Sequence, residues 1–482
     1  MSNILNEQKD VVFPLTAYDE LLVANSTPII QVTAHYGIRD DMLSANLGGT
    51  TTTGDSNFIV STGVGANNVA ALVSDRQISY RAGQGLRCEI SAVFTQGVAN
   101  NTQQAGFITS ESSLGFGYNG TSFGILYAKG GEQEQQELTI TAGASVAENA
   151  TIEVDGFVHV VALASGVNAN QAACKISTYL SQNEPRYQFS YIQNVVYALA
   201  KLPDFGGGIW SFSSGTAAAT WSQKQGGVNP VETWIPKADW NVNPDINIDP
   251  TKGNVYQIQM QYLGYGGMFF WIKDPATSRF SHVHTIHYEN TSTVPSVSNP
   301  IFRVGWATRN DGNTSNVTVK GASAGAYIEG IVHHDGVPRG KSVVTASYTT
   351  TANTLLMIRN RLTFNEEANR AEIIPLLLFM GTESSQHAIF EIVKNPVFGG
   401  TTYPIYQEHS PNSLMTYSDT KLAYVSGEVI ASFIVTAESP QQVQLNQVID
   451  NLIPNTVYAI TARVTNGASA TMVASVTWRE DL

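Results

Sequence analysis

The chain is predicted to be mainly β, with two sandwiches and a small α+β module set into the first. Three observations predict it. Apolar residues recur at every second position over most of the length, turn residues including 41 Gly punctuate short runs, and one segment alone carries a clear helical period. At about 150 residues per domain, the 482 residues suffice for about three domains.

Residues 1–66 hold one short apolar run, Pro28 to Val32, and then LGGTTTTGDSN, which offers little for a core. This stretch is expected to be an arm that docks on a neighbouring protein. The first sandwich is assigned to residues 67–137 and 229–335. Leu86 to Phe94 alternates apolar and polar residues, and Ala105 to Thr109 and Leu114 to Tyr118 follow. Asn119-Gly120 is a tight-turn dipeptide, from which Phe123 to Tyr127 returns as a hairpin.

Residues 138–228 change texture. A hairpin over Thr151 to Asp155 and Val158 to Leu163 leads to a helix from Asn168 to Leu180. In it Ala172, Ala173, Ile176, Tyr179 and Leu180 share a face, Asn168 caps the start and Pro185 closes the segment. Strands over Tyr187 to Leu199 and Trp210 to Trp221 complete an α+β module, which is expected to be removable because insertions at surface loops cost little. Val255 to Leu263 then resumes the alternation, and Met268 to Ile272, Phe280 to Tyr288, Phe302 to Trp306, Val317 to Lys320 and Ala326 to Ile328 continue it. Within 336–482, eight runs begin at Thr354, Arg370, His387, Leu414, Val429, Val443, Val457 and Ala470, a count that fits a second sandwich of Greek-key or jelly-roll type.

Charge excludes some functions. Lys and Arg number 26 against 39 Asp and Glu, a net charge of -13, which repels a phosphate backbone, so no nucleic-acid partner is expected. No stretch reaches the ~20 apolar residues of a membrane span, and the start, MSNILNEQKD, lacks the pattern of a secretory signal. Cys88 and Cys174 fit neither a disulfide framework nor a zinc site and read as buried fillers.

Candidate chemistry is sparse. Asp245, Asn247 and Asp249 put oxygen side chains at every second position, as for a hard cation, but the Gly and the closing acid of a calcium loop are missing. His282 and His284 share a strand face near His287 without a third ligand at fixed spacing, and His333-His334-Asp335 sits in an interdomain linker. Glu132, Glu134 and Glu137 lie in GGEQEQQE, which reads as a solvated loop. Two G-x-S-x-G strings, at 120–124 and 321–325, lie between strands and lack the helix of a nucleophile elbow. Gly336 to Ser342 falls short of the Walker spacing, and it and the Gly run at 206–208 read as turns. Trp210 and Trp221 concentrate in the module with Trp234 and Trp240 at its exit. Trp234, Trp240 and Tyr265 are the candidates for stacking on a sugar ring, against the ordinary use of such residues in a core. No cofactor is expected.

Several stretches, among them Arg81-Ala-Gly-Gln-Gly-Leu-Arg, Gly115-Phe-Gly-Tyr-Asn-Gly-Thr-Ser-Phe-Gly-Ile-Leu, Asp249-Pro-Thr-Lys-Gly-Asn-Val-Tyr and the terminal Val473-Ala-Ser-Val-Thr-Trp-Arg-Glu-Asp, resemble structural proteins of tailed bacteriophages. The resemblance implies a lectin-like, concanavalin-type sandwich with an insertion, joined to a jelly-roll-like domain in a symmetric homo-oligomer, commonly a trimer. It further implies a virion protein made in the host cytoplasm, part of a fibre, spike or decoration assembly, contacting other virion proteins through the arm and a host-surface glycan, without catalysis. The polar, nearly uncharged composition fits that reading. The alternatives are a carbohydrate-binding or polysaccharide-depolymerising protein and a bacterial surface lectin.

Overall fold

The computed structural model describes residues 26–201, 210–330, 336–383, 385–398, 403–437 and 439–481. Residues 1–25, the Gly run at 206–208 and His333-His334-Asp335 lie outside them.

The first sandwich packs a nine-stranded sheet against an eight-stranded one. Leu86–Phe94, at the middle of the nine-stranded sheet, shows why the sequence folds this way: its burial alternates without exception, with Leu86, Cys88, Ile90, Ala92 and Phe94 inside. Across the core, Trp306 from the eight-stranded sheet is fully buried and its indole N–H donates to Ser91 O at 2.9 Å, fastening one sheet to the other. The indole packs so closely on Gly321 that an added Cβ there would meet it at 2.3 Å. Asn119-Gly120 makes the predicted hairpin between Ser113–Asn119 and Ser122–Lys129, with Gly120 at φ 58°.

The arm expectation fails for its described part. Ser26–Thr33, Met42–Leu47, Thr50–Gly54 and Asn57–Ser61 are strands of the first sandwich. Ile30, Val32, Phe58 and Val60 carry them into the core, while the Thr run forms an edge strand whose side chains largely face solvent. A tract that looks coreless is held by its backbone ladder to Asn57–Ser61.

The module has its own core beneath a four-stranded and a three-stranded sheet. Its helix, Ala169–Asn183, starts on a capping box: Asn168 accepts from Gln171 N, and the Gln171 side chain accepts from Asn168 N. Trp210 and Trp221 meet edge to face at 4.7 Å in this unit. Its core does not close on itself, because Met357, Val393, Tyr406 and Ala459 of the C-terminal domain complete it.

In the C-terminal domain eight strands run in order through Val337–Tyr348, Asn353–Asn360, Glu372–Thr382, Ala388–Phe398, Tyr424–Val435, Gln441–Gln444, Val457–Val464 and Ala470–Asp481. One sheet pairs the first, eighth, third and sixth in that spatial order, and the other pairs the second, seventh, fourth and fifth. This is the jelly-roll order, with the short pair Gln407–Glu408 and Met415–Ser418 added beside the second strand. The first strand corrects the reading of Gly336 to Ser342 as a turn: it is an edge strand, mostly exposed, and so carries little apolar alternation. The chain is thus a lectin-like sandwich with an inserted α+β module, followed by a jelly roll.

Candidate functional site

The outer face of the eight-stranded sheet is unusual in its side chains. Cross-strand register sets Trp234 beside Leu126, Leu126 beside Gly115, Gly115 beside Gly106 and Gly106 beside Gly305. The adjacent row runs from Gly124 to Gly117, Gln104, Ala307, Ala71 and Ala45. Strands far apart in sequence therefore put glycine or alanine on one face. At the buried Gly106, Gly115, Gly117 and Gly305 an added Cβ would meet neighbouring backbone at 1.7 to 2.8 Å, so the sheet closes tightly there and admits no side chain.

Over this face lies a groove of about 470 Å³, within the usual range for small-molecule sites. Its wall is polar. Trp234 Nε1 donates to Glu232 Oε2 at 2.9 Å, which fixes the half-buried indole. The Arg309 guanidinium reaches Glu232 Oε1 at 3.5 Å and Asp311 Oδ1 at 2.8 Å. Gln104, also lining the groove, has its Oε1 shielded from solvent and without a hydrogen-bond partner. The site therefore offers an aromatic face and planar polar groups. Both carboxylates are tied to one guanidinium, which suits a binding rim better than an acid and a nucleophile facing each other across a bond.

The structure separates the three aromatic candidates. Trp234 lines the groove, whereas Trp240 is 3% exposed and packs edge to face on Phe116 and Phe123, so it belongs to the core and offers no face to a sugar. Tyr265 is exposed on the turn after Asn254–Met260, its hydroxyl donating to Thr293 O at 3.1 Å, away from the groove. Sequence reading missed Gln104, Arg309 and the glycine rows. The signal was present as Gly at alternate, outward positions of Leu114-Gly-Phe-Gly-Tyr118, but the pairing of distant strands was needed to read it.

The other candidates resolve differently. Asp245, Asn247 and Asp249 point outward while Ile246 and Ile248 turn in, and Asp249 Oδ1 is taken by Thr251 N and Oγ1 at 2.9 and 2.6 Å. No group of three His, Cys, Asp or Glu able to hold a metal occurs among the described residues. His282 stacks on Trp271 at 4.5 Å, and His284 Nδ1 accepts from Asn241 N; burial pushes both imidazoles below their ordinary pKa. Glu134 is not in a solvated loop: it is fully buried and accepts from Gln136 Nε2 at 2.8 Å and from the Tyr187 hydroxyl at 2.9 Å. Cys88 and Cys174 are buried thiols, and burial pushes the Cys174 pKa up to about 11.

No family model and no curated protein matches the sequence. Among solved structures the chain is similar to a lectin from Bauhinia forficata in complex with GalNAc, at 6% identity over 62% of this chain and 98% of that one, with a TM-score of 0.24. It is also similar to a triple jelly-roll protein of the turret assembly of an archaeal virus, at 6% identity over 96% and 97%, with a TM-score of 0.18. A Sulfolobus turreted icosahedral virus protein aligns at 6% identity over 95% and 99%, with a TM-score of 0.16. These are remote likenesses, and the fold stated above rests on strand order and register.

Proposed function

We propose that the chain is a non-enzymatic structural subunit of a virion that engages a surface glycan through the Trp234 groove. The observation that carries the contact is the pairing of one fixed indole with the polar groups of Gln104, Glu232, Arg309 and Asp311 in one groove over Ala128 and Ala307. A saccharide ring has an apolar face for the indole and hydroxyls for planar donors and acceptors. The structural role is supported by the phage-like sequence stretches and by three bodies joined through buried contacts. The fibre, spike or decoration position and a trimeric state belong to this proposal.

A glycan array probed with the wild-type chain and with Trp234→Ala tests the contact. Binding to a saccharide that the variant loses, at unchanged thermal stability, supports it; equal binding by both removes the groove from the function. Antibody labelling of purified particles tests the virion assignment separately, and its failure would leave the carbohydrate-binding alternative.

A further inference from the structure

A second cavity lies where the first sandwich, the module and the jelly roll meet. It has a volume of about 40 Å³, and Lys201, Arg303 and Arg370 line it together with Gln77, Gln133 and Gln188. A space of ~10–15 Å³ already holds one water-sized body. The cavity is thus sized for a small ion and not for an organic ligand.

Among the described residues its charges do not balance. Arg303 Nη1 pairs with Asp75 Oδ1 at 3.3 Å, and Arg370 Nη2 pairs with Glu111 Oε1 at 2.5 Å. Three cations against two carboxylates leave one positive charge, that of Lys201, which makes no ion pair among the described residues. Of the two acids acting on Lys201, Glu184 is already held by the forked guanidinium of Arg186 at 2.8 and 2.7 Å and Asp75 by Arg303. Burial pushes the Lys201 ammonium below its ordinary pKa, and burial does the same to Arg303, with Asp75 opposing and Arg370 adding to it. Arg370 is 8% exposed and its Nε is shielded and unpartnered. Buried cationic donors with an unmatched charge call for a counterion.

We propose that this junction cavity binds a small inorganic anion of halide size, held between Lys201, Arg303 and Arg370, which fastens the three bodies together. An anion there supplies the missing negative charge. Since all three bodies contribute to the lining, binding favours the assembled chain over any state in which they separate.

The probes are bromide and chloride on the full chain. Crystals equilibrated with sodium bromide should show an anomalous peak bounded by the three cationic side chains. Melting in sodium chloride should exceed that in sodium gluconate at equal ionic strength by about 2 °C, and Lys201→Met should abolish the difference. Lys201→Gln replaces it should the Met variant not fold. No bromide peak together with identical melting in the two salts, or a chloride effect undiminished in the Lys201 variants, would overturn the proposal.

Discussion

Arg370 of the jelly roll and Glu111 of the first sandwich form an ion pair 2.5 Å long across the boundary between their domains, with side chains 7% and 16% exposed. The pair joins residues 259 positions apart. Arg76 and Glu372 repeat the crossing at 3.3 Å in a more open setting. The two sandwiches are therefore fastened side chain to side chain as well as through the chain that links them.

Replacing Arg370 by Ala strands Glu111 in a half-dry setting. The expected cost is about 2–3 kcal/mol, read by urea denaturation. The Arg370→Met, Glu111→Gln double variant should recover more than half of it, because no charge is left unpaired. Equal losses in single and double variants would show that packing, and not the pair, sets the cost.

The module is tied down as well. The Arg359 guanidinium lies 3.8 Å from the Tyr406 ring centroid and donates to Tyr191 O, while the Tyr191 hydroxyl donates to Pro404 O at 2.9 Å. Excision of 138–228 would uncover Met357, Val393, Tyr406 and Ala459 on the jelly roll and leave Arg359 without its backbone acceptor. The expectation of a freely removable insertion thus gives way to its opposite. The deletion should lower jelly-roll stability by more than about 3 kcal/mol, seen as an earlier melting transition, whereas a clean deletion with unchanged melting would show that the contact contributes little.

Two tryptophans six residues apart should behave oppositely. Trp240→Ala opens a cavity between Phe116 and Phe123 and should cost about 3–5 kcal/mol. Trp234→Ala, at the groove wall, should cost less than about 1 kcal/mol while removing glycan binding. Chemical denaturation of both variants beside the wild type checks the contrast.

Those two residues also mark the limit of what could be read in the sequence. Where one strand carries its own signal, as in Leu86–Phe94 or the Asn168 cap, local pattern sufficed, since burial there alternates with the residues themselves. It failed where tertiary pairing decides. Thr50–Gly54 and Val337–Tyr348 are edge strands held by ladders to distant partners, so neither needs an apolar face of its own. The groove is legible only once Gln104, Trp234 and Arg309, from three separate strands, are brought to one sheet. The pairing of Leu126 with Trp234 puts that indole outside, while Trp240, past the strand end, goes to the core.

Acid should weaken the module first, and Glu184 gives the reason. Burial alone would raise its carboxyl pKa, but the hydrogen bonds and charge of Arg186, with His159 Nε2 at 3.2 Å, outweigh burial and hold it below the ordinary carboxylate value. A carboxyl depressed in the folded state contributes stability that is fully present above its unfolded pKa, about 4.3 for Glu. That contribution is lost as pH falls through the lower, folded value. Neutral Glu184 would leave Arg186, which also donates to Val154 O at 3.1 Å and lies 4.4 Å from the Phe157 ring centroid, as a buried cation with Asp155 as its remaining counter-charge. Melting followed from pH 7 down to pH 3 should therefore hold steady to about pH 5 and then fall. Glu184→Gln should begin less stable at pH 7 and lose less on acidification, so that the two curves converge in acid. Parallel curves would show that other carboxylates, and not this pair, govern the acid limb.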